Sequence, residues 1–522
     1  MNEDDKRIIP AQIVYLLIAA AAILLVLYFT RSGPGITGDS VHYVMGAENL
    51  LHGRGFSRTG GAGEVLPITG FPPGTSAVLA VVGFFVDDLF QGARLLNSLL
   101  FGVNVYLIAF LVRKITGSFW VGLIAGLLVM LSEDMILVHA WVMSEPQYIL
   151  LMILALWTLT VYAKHGRRTV LLISGALIAA ATLTRYVGVS IGLTAALLLL
   201  FFGQGTVRRR LIDTSLLGAV SALPVVVWLM RNAAISGTLT NRGLSYFPLS
   251  NELITAFLGT MNAWFFPLTL GLSTLIRAIL STALAISIVG LFLWHEGLSS
   301  RRMAWMHMSP LGLLTWTFLL YIPAYILVLL VNSMFLDAST SAAGAARYLA
   351  PVFVSMVILL TAMLARLMAE GQKKGRAAGI ILTLVGVAIL GSYSVRAVDF
   401  VRDPGPVYRY TDSKRGMPEV IEALEILNRS QMIISNDIEL VYVLVDRPAY
   451  AFPITFDHYQ QVYREDLEEQ LEFVHGLLED GGRIIYFGDL EGDDQLLIDQ
   501  LGAVEERSFK GATLYQYAEI EG

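Results

Sequence analysis

Long uncharged apolar runs recur through residues 1–399, separated by short polar stretches. An apolar run of about 18 or more residues is typical of a membrane-spanning helix. The pattern predicts about 11 such helices, at residues 9–29, 93–112, 117–132, 146–163, 169–184, 187–203, 211–230, 273–294, 311–331, 348–366 and 378–396. The chain is therefore expected to be a polytopic α-helical membrane protein.

One further apolar stretch, residues 74–86, decides the orientation of everything after it. It is short and ends at two aspartates. If it does not cross, every dense basic cluster between the spans lies in the cytoplasm, where short loops are enriched in Lys and Arg. These clusters are Lys6/Arg7, Arg113/Lys114, Lys164/Arg167/Arg168, Arg208/Arg209/Arg210, Arg301/Arg302 and Lys373/Lys374/Arg376. The charge pattern therefore predicts that 74–86 does not cross and that the N-terminus is cytoplasmic.

With this orientation, the long loops and the C-terminus lie on the extracytoplasmic face. The predicted outer loops are 30–92, 133–145, 231–272 and 332–347. The second half of the first loop is expected to form helices in the membrane interface, because an apolar stretch with polar flanks prefers that plane. Residues 8–29 are too long for a removed signal peptide and lack its cleavage pattern, so they predict a retained first span.

The composition changes near residue 400. The whole chain is 55% hydrophobic and 15% charged, against about 25% charged in soluble domains, but residues 400–522 have an ordinary soluble composition. This segment shows helical periodicity at 417–428 and 458–479 and strand-like patterns at 431–435, 439–445, 483–487 and 512–517. We therefore predict a transmembrane domain at 1–399 and a small extracytoplasmic α/β domain at 400–522. The second domain has no nucleotide-binding motif, which favours a lid or docking module for the membrane part.

The charged residues next to the predicted spans are the candidates for chemistry, because charge at a membrane edge is costly. Carboxylates can abstract a proton or bind a metal, and the guanidinium group of Arg suits a phosphate. The outer candidates are Asp39, His42, Glu48, Glu133, Asp134, His139, Glu145, Arg185, Arg231 and Arg347. The sequence has no cysteine, which excludes disulfides and thiolate metal sites.

Each of these candidates has a simpler interpretation. Asp39 could instead cap a helix that starts at Ser40. Glu133 and Asp134 could be solvated loop charges. The outer histidines could be structural or could bind a metal beside the carboxylates, and the arginines could anchor helix ends in the interface. Residue type alone leaves these alternatives open.

Several short motifs occur in order between residues 38 and 351. They are Gly38-Asp39-Ser40 with Tyr43, Asn49-Leu50-Leu51, Phe71-Pro72-Pro73-Gly74, Arg94-Leu95-Leu96-Asn97, Ser144-Glu145-Pro146, Leu183-Thr184-Arg185-Tyr186, Trp228 with Arg231-Asn232, and Arg347-Tyr348-Leu349 with Pro351. The ordered set resembles the C-type membrane glycosyltransferases. These polyprenyl-phosphate-sugar-dependent enzymes include protein O-mannosyltransferases and the aminoarabinose transferase of lipid A.

The resemblance implies a lipid-linked sugar donor and an outward-facing active site. Asp39 matches the first-loop acidic residue, the usual candidate for general base, and Glu145 falls near the second-loop acidic position. Glu133 and Asp134 lie slightly earlier, so which acid takes the second role stays open. The implied substrate-binding residues are Tyr43, Arg185, Arg231, Arg347 and Tyr348. The implied metal candidates are Glu133, Asp134 and His139, since some members use a divalent metal ion and others do not.

The expected function is transfer of a sugar from a polyprenyl-phosphate donor to an acceptor hydroxyl, by an inverting single displacement at the outer face of the cell membrane. The expected partners are the donor, a glycan, lipid or protein acceptor, and the bilayer, with no nucleic acid. A transporter or flippase of a lipid-linked intermediate is the alternative. It would explain the spans and arginines, but not the polar, carboxylate-bearing loops gathered on one face, and the sequence has no acidic residue in the middle of a span, which proton-coupled transport usually needs.

Overall fold

The computed structural model describes residues 3–265, 310–336, 344–374, 376–403, 410–428, 431–457, 462–490 and 492–518, with five isolated positions between 273 and 290. Contacts divide the chain into two compact units. The helical unit comprises Met1–Arg31, Arg94–Leu239 and Tyr246–Pro404, and the mixed unit comprises Ser32–Ala93, Thr240–Ser245 and Gly405–Gly522. Contacts between the first predicted outer loop and the C-terminal segment therefore fall within one unit. The predicted domain boundary near residue 400 stays a prediction.

Helices form most of the chain. In order they are α1 (Glu3–Phe29), α2 (Gly38–Leu51), α3 (Gly74–Val82), α4 (Leu89–Thr116), α5 (Phe119–Met130), α6 (Glu133–Ala140), α7 (Glu145–His165), α8 (Arg168–Thr184), α9 (Val189–Phe202), α10 (Val207–Ser236), α11 (Asn251–Phe265), α12 (Pro310–Phe335), α13 (Ala345–Lys374), α14 (Arg376–Arg402), α15 (Tyr410–Gly416), α16 (Pro418–Ile426), α17 (Ile438–Val445), α18 (Leu467–Glu479) and α19 (Asp493–Gln500). A 3₁₀ turn, Tyr186–Gly188, precedes α9.

The long apolar helices confirm the prediction of a polytopic membrane protein. Among the described residues, six helices are long and apolar enough to cross a membrane, or seven if α5 and α6 count as one span bent by 59°. Helices α8 and α9 are apolar but shorter. The predicted span at 273–294 lies almost wholly outside the described residues, so the count of about 11 stays a prediction.

Helix α3 occupies the apolar stretch that the charge pattern had placed outside the membrane. It contains nine residues, which is about 13 Å at 1.5 Å per residue, whereas the hydrocarbon core is about 30 Å thick. The helix is therefore too short to cross, as predicted.

The predicted loop at 133–145 is wrong over its first half, where the structure has helix α6. The backbone N–H of Ile136 donates to the carbonyl oxygen of Ser132 at 2.9 Å, which closes the first turn. Glu133 and Asp134 occupy that turn, where the positive end of the helix dipole favours acidic side chains. The two charges that suggested a solvated loop therefore mark the start of a helix.

The C-terminal part of the mixed unit is a small α/β fold. Its five-stranded sheet has the order β4-β3-β7-β9-β8, in which β3 pairs in parallel with β4 and β7, and β9 pairs antiparallel with β7 and β8. The strands of the whole chain are β1 (Ser57–Thr59), β2 (Val65–Pro67), β3 (Ile433–Ser435), β4 (Tyr450–Ala451), β5 (Phe456–Asp457), β6 (Val462–Tyr463), β7 (Arg483–Phe487), β8 (Ala503–Phe509) and β9 (Ala512–Tyr517). The predicted small α/β region is thereby confirmed.

Three local predictions in this region need correction. Residues 439–445, predicted as a strand from their β-branched and aromatic content, form helix α17 instead. The Asp437 side chain accepts from the backbone N–H of Leu440 at 2.9 Å, and Asp446 ends the helix in the left-handed conformation. These caps override the strand propensity of the sequence between them. Helix α18 begins at Leu467, later than predicted, and strand β8 was not predicted.

A half-buried acid joins the first loop to the C-terminal fold inside the mixed unit. The hydroxyl of Tyr442 on α17 donates to Oε2 of Glu48 on α2 at 2.7 Å. Burial raises the pKa of the Glu48 carboxyl above its ordinary value of 4.5, although the hydrogen bond from Tyr442 opposes this. The folded state therefore holds this proton more tightly than the unfolded state.

Glu48→Gln should stabilise the mixed unit at neutral pH. Because the folded pKa is raised, the contribution of Glu48 to stability is favourable at low pH and falls as pH rises through 4.5 towards the folded value. Gln keeps an acceptor for Tyr442 and carries no charge, so hydrogen exchange in α2 should slow by about fivefold at pH 7, equivalent to about 1 kcal/mol. The difference from wild type should shrink at pH 4.5; an equal difference at both pH values would contradict the assignment.

Candidate active site

A buried carboxylate shared by two arginines forms the centre of the helical unit's candidate site. Glu145, the first residue of α7, is 1% exposed. Its Oε1 lies 2.7 Å from Nη1 of Arg185 and 2.9 Å from Nε of Arg347. We call these three residues the arginine–carboxylate cluster. Two guanidinium groups and one carboxylate leave the cluster with a net positive charge.

Helix ends bring the three side chains together. Arg185 follows the last residue of α8 in an extended conformation, and its Nη1 also donates to Oγ of Ser144 at 2.9 Å. Ser144 precedes Glu145, and Pro146 occupies the first turn of α7, where its missing N–H costs nothing. The side chain of Asn104 on α4 fixes the first turn of α7, because its Nδ2 donates to the carbonyl oxygen of Pro146 at 3.1 Å.

The second carboxylate oxygen of Glu145 differs from the first. Oε2 is buried and accepts no hydrogen bond from any residue within the described ranges. A buried oxygen without a donor is costly, and such groups are rare outside functional sites. The geometry therefore offers an acceptor for a ligand hydroxyl or a metal ion beside two cationic groups.

Buried tyrosines support the cluster from α7 and α12. The hydroxyls of Tyr148 and Tyr321 lie 2.9 Å apart, and Tyr325 donates to the carbonyl oxygen of Tyr348 at 2.7 Å. The guanidinium carbon of Arg347 lies 5.8 Å from the centre of the Tyr348 ring. Sequence reasoning missed three of these tyrosines, although the four-residue spacing of Tyr321 and Tyr325 on a predicted span was a signal.

Two aromatic side chains, Trp228 and Tyr186, connect Arg231 to the residue next to Arg185. Its guanidinium carbon lies 4.8 Å from the centre of the Trp228 ring, within the range of a cation–π contact. The indole N–H of Trp228 donates to the hydroxyl of Tyr186 at 3.1 Å, and Tyr186 is next to Arg185 in the chain. The predicted residues Arg185, Arg231 and Arg347 therefore belong to one helical unit.

The three predicted metal candidates have protein partners instead of facing each other. Glu133 pairs with Arg396 through two contacts of 2.7 and 3.0 Å, and Asp134 accepts from the indole N–H of Trp264 at 2.9 Å. His139 is 1% exposed, and both of its ring nitrogens have polar neighbours, Met135 O at 2.7 Å and Asn104 Nδ2 at 3.2 Å. Over the described ranges, no group of three or more His, Cys, Asp or Glu residues could hold a metal ion.

Asp39 and Tyr43 lie on α2 in the mixed unit. The structure corrects the capping alternative, because α2 begins at Gly38 and its N-cap is Thr37. The backbone N–H of Thr37 donates to Oγ of Ser40 at 3.0 Å, so this pair fixes the helix start. Asp39 is half-buried in the first turn and Tyr43 follows one turn later on the same face.

Comparison with known proteins agrees with the predicted resemblance. Residues 71–228 match the family described as Dolichyl-phosphate-mannose-protein mannosyltransferase. The chain also superimposes on ArnT from Cupriavidus metallidurans in the apo state, with a TM-score of 0.60 and 13% identity over 96% of this chain and 97% of that one. The chain therefore has a fold like that of the C-type glycosyltransferases.

A second solved structure extends the comparison. ArnT from Cupriavidus metallidurans bound to undecaprenyl phosphate gives a TM-score of 0.54 at 13% identity, over 97% of this chain and 98% of that one. At this identity the likeness shows the shared fold. Among curated proteins, none matches the sequence significantly. Glu145 and Arg185 lie inside the matched segment 71–228, whereas Asp39, Arg231 and Arg347 lie outside it.

Proposed function

We propose that the chain is a C-type glycosyltransferase, a multi-pass enzyme of the cell membrane that moves a hexosyl or pentosyl group from a polyprenyl-phosphate carrier to an acceptor hydroxyl. The arginine–carboxylate cluster is the observation that carries the proposal. It combines net positive charge, burial and a carboxylate oxygen without a donor among the described residues. A buried cationic site of this kind suits the phosphate of a lipid-linked donor.

The donor phosphate is proposed to meet Arg185 and Arg347, with Arg231 close by. Nearby guanidinium groups stabilise the charge that develops on a departing phosphate, and such preorganised electrostatics usually dominate catalysis. The likeness to a fold that binds undecaprenyl phosphate in ArnT supports a polyprenyl carrier. Tyr348 would hold Arg347 in place, since Tyr325 fixes its carbonyl oxygen.

Asp39 is proposed as the general base. The acceptor oxygen attacks the anomeric carbon and forms the new glycosidic bond, while the bond from that carbon to the phosphate oxygen breaks. The electron pair of the broken bond leaves with the polyprenyl phosphate, and the acceptor's proton passes to the Asp39 carboxylate. A single displacement of this kind inverts the configuration at the anomeric carbon. Glu145 and Tyr43 would help to orient the substrates.

The enzyme is proposed to act on the extracytoplasmic face. The basic clusters of the predicted cytoplasmic loops support a cytoplasmic N-terminus and an extracytoplasmic segment at 400–522. The acceptor would be a glycan, a lipid head group or a protein hydroxyl on that face. No step in this mechanism passes through a metal ion.

Arg347→Gln should weaken binding of undecaprenyl phosphate by about tenfold to hundredfold, because a hydrogen bond to a charged group contributes about 1.5–3 kcal/mol. Isothermal titration of the purified protein in detergent with undecaprenyl phosphate measures this. Arg396→Gln is the matched control, since it also removes an arginine paired with a carboxylate, that of Glu133. Equal affinities of the Arg347 variant and the control would contradict the proposed phosphate site.

A donor labelled in its sugar distinguishes sugar transfer from lipid transport. Proteoliposomes containing the protein would receive a donor labelled in the sugar and a crude membrane extract as acceptor. Transfer moves the label out of the polyprenyl fraction. Label that stays on the carrier and only changes leaflet would contradict the proposal and favour a lipid transporter.

A further inference from the structure

Helix α2, which carries Asp39, packs directly on helix α17 of the C-terminal fold. Both helices belong to the mixed unit and share one apolar cluster. From the first loop it contains Ile36, Val41 and Met45, and from the C-terminal fold Tyr410, Val420, Leu424, Leu440, Val441, Tyr442 and Leu444, among others. Each of these side chains is less than a tenth exposed. The first loop therefore has no separate core on this side of α2, but shares that of the C-terminal fold.

The backbone just before α2 is tied to the same fold. The carbonyl oxygen of Ile36 accepts from the backbone N–H of Tyr410 at 3.2 Å, and that of Pro34 accepts from the hydroxyl of Thr411 at 2.6 Å. The Tyr410 hydroxyl donates to the Asp437 carboxylate, which caps α17. The entry to α2 and the start of α17 are thus joined through one tyrosine.

The opposite side of α2 is held by the first loop itself. Oγ of Ser76 on α3 donates to the carbonyl oxygen of Tyr43 at 2.9 Å. At Gly46, an added Cβ would lie 2.8 Å from the Phe56 ring and 2.9 Å from Oγ of Ser76, so the packing there is too close for a side chain. Helix α2 is therefore held between α3 and α17, so that contacts with α17 help to fix its position.

We propose that the C-terminal domain is a positioning device for the general base, and that Tyr442 and Glu48 are its positioning residues. The hydrogen bond of 2.7 Å between them fixes α2 along α17, nine residues and about 13 Å from Asp39. This inference rests on the proposed role of Asp39. A base misplaced by about 1 Å can cost up to a hundredfold in rate, so the contact should affect turnover more than donor binding.

The test compares Tyr442→Phe with Tyr486→Phe in the full-length protein. Both variants lose a buried hydroxyl that donates to a carboxylate, but Tyr486 donates to Asp494 in the other apolar cluster of the C-terminal fold. We expect Tyr442→Phe to lower kcat by about tenfold and to leave the donor KM within about twofold. Tyr486→Phe should keep the wild-type kcat.

Two substitutions at Glu48 test whether the hydrogen bond to Tyr442 is what maintains kcat. Glu48→Ala should lower kcat as Tyr442→Phe does, and the double variant should be no slower than either single one, because both remove the same contact. Glu48→Gln keeps the acceptor oxygen and should retain the wild-type kcat. Equal kcat values for Tyr442→Phe and Tyr486→Phe, or equal losses in Glu48→Gln and Glu48→Ala, would overturn the inference. Activity retained in Asp39→Asn would instead overturn the proposed function, so the two failures are distinguishable.

Discussion

Replacing Asp39 by Asn should reduce sugar transfer by about a hundredfold to ten-thousandfold, the usual contribution of a general base. Asn has nearly the same size and cannot accept the acceptor's proton. The structure separates this effect from a loss of folding, because Thr37 and Ser40 fix the start of α2 without Asp39. Thermal stability of the purified variant should therefore stay close to that of wild type.

Asp87→Asn is the matched control for Asp39→Asn. Asp87 is an exposed acid in the same predicted first loop. Its variant should keep wild-type turnover in the same transfer assay with a polyprenyl-phosphate sugar. An Asp39→Asn enzyme with full turnover would remove Asp39 from the mechanism.

Glu145→Gln should destabilise the helical unit by about 3 kcal/mol, since breaking a buried ion pair leaves charge uncompensated. The carboxylate separates two guanidinium groups that are themselves only 16% and 18% exposed. Without it, both cations remain buried at one point and repel each other. Thermal unfolding in detergent, followed by tryptophan fluorescence, measures the loss.

Two further measurements separate charge from packing at Glu145. Glu145→Gln/Arg347→Gln has the same net charge as wild type at the cluster and should regain part of the lost stability. Undecaprenyl phosphate should stabilise the single variant more than wild type, because the more positive cluster binds it more tightly and stabilisation by a ligand increases with affinity. Wild-type stability in Glu145→Gln, or no extra stabilisation by undecaprenyl phosphate, would contradict this account of the cluster.

The fold was predictable where structure follows from local hydrophobic pattern. Long apolar runs gave helices α1, α4, α7 and α10 because a span of lipid imposes its own length on the sequence. The pattern failed at α17, where two capping aspartates decide between helix and strand, and at α6, where acidic residues begin a helix. In both cases a few polar residues outweigh the apolar content between them.

The candidate site was predictable only in part. Ordered motifs identified Glu145, Arg185 and Arg347 as candidates, but not that they share one carboxylate oxygen. Glu145 and Arg347 are 202 positions apart, and no local pattern encodes a pairing over that distance. The contact of α2 with α17 could not be predicted for the same reason, since Glu48 and Tyr442 are 394 positions apart.

Sugar transfer by the purified protein tests the central claim most directly. The detergent-solubilised enzyme would receive a panel of polyprenyl-phosphate donors labelled in the sugar, with a crude membrane extract as acceptor, beside the Asp39→Asn variant. The account predicts that label moves from one donor into product, that free polyprenyl phosphate is released in equal amount, and that both are lost in the variant. If the wild-type protein binds a donor but none of the acceptor fractions leads to its consumption, the account is contradicted.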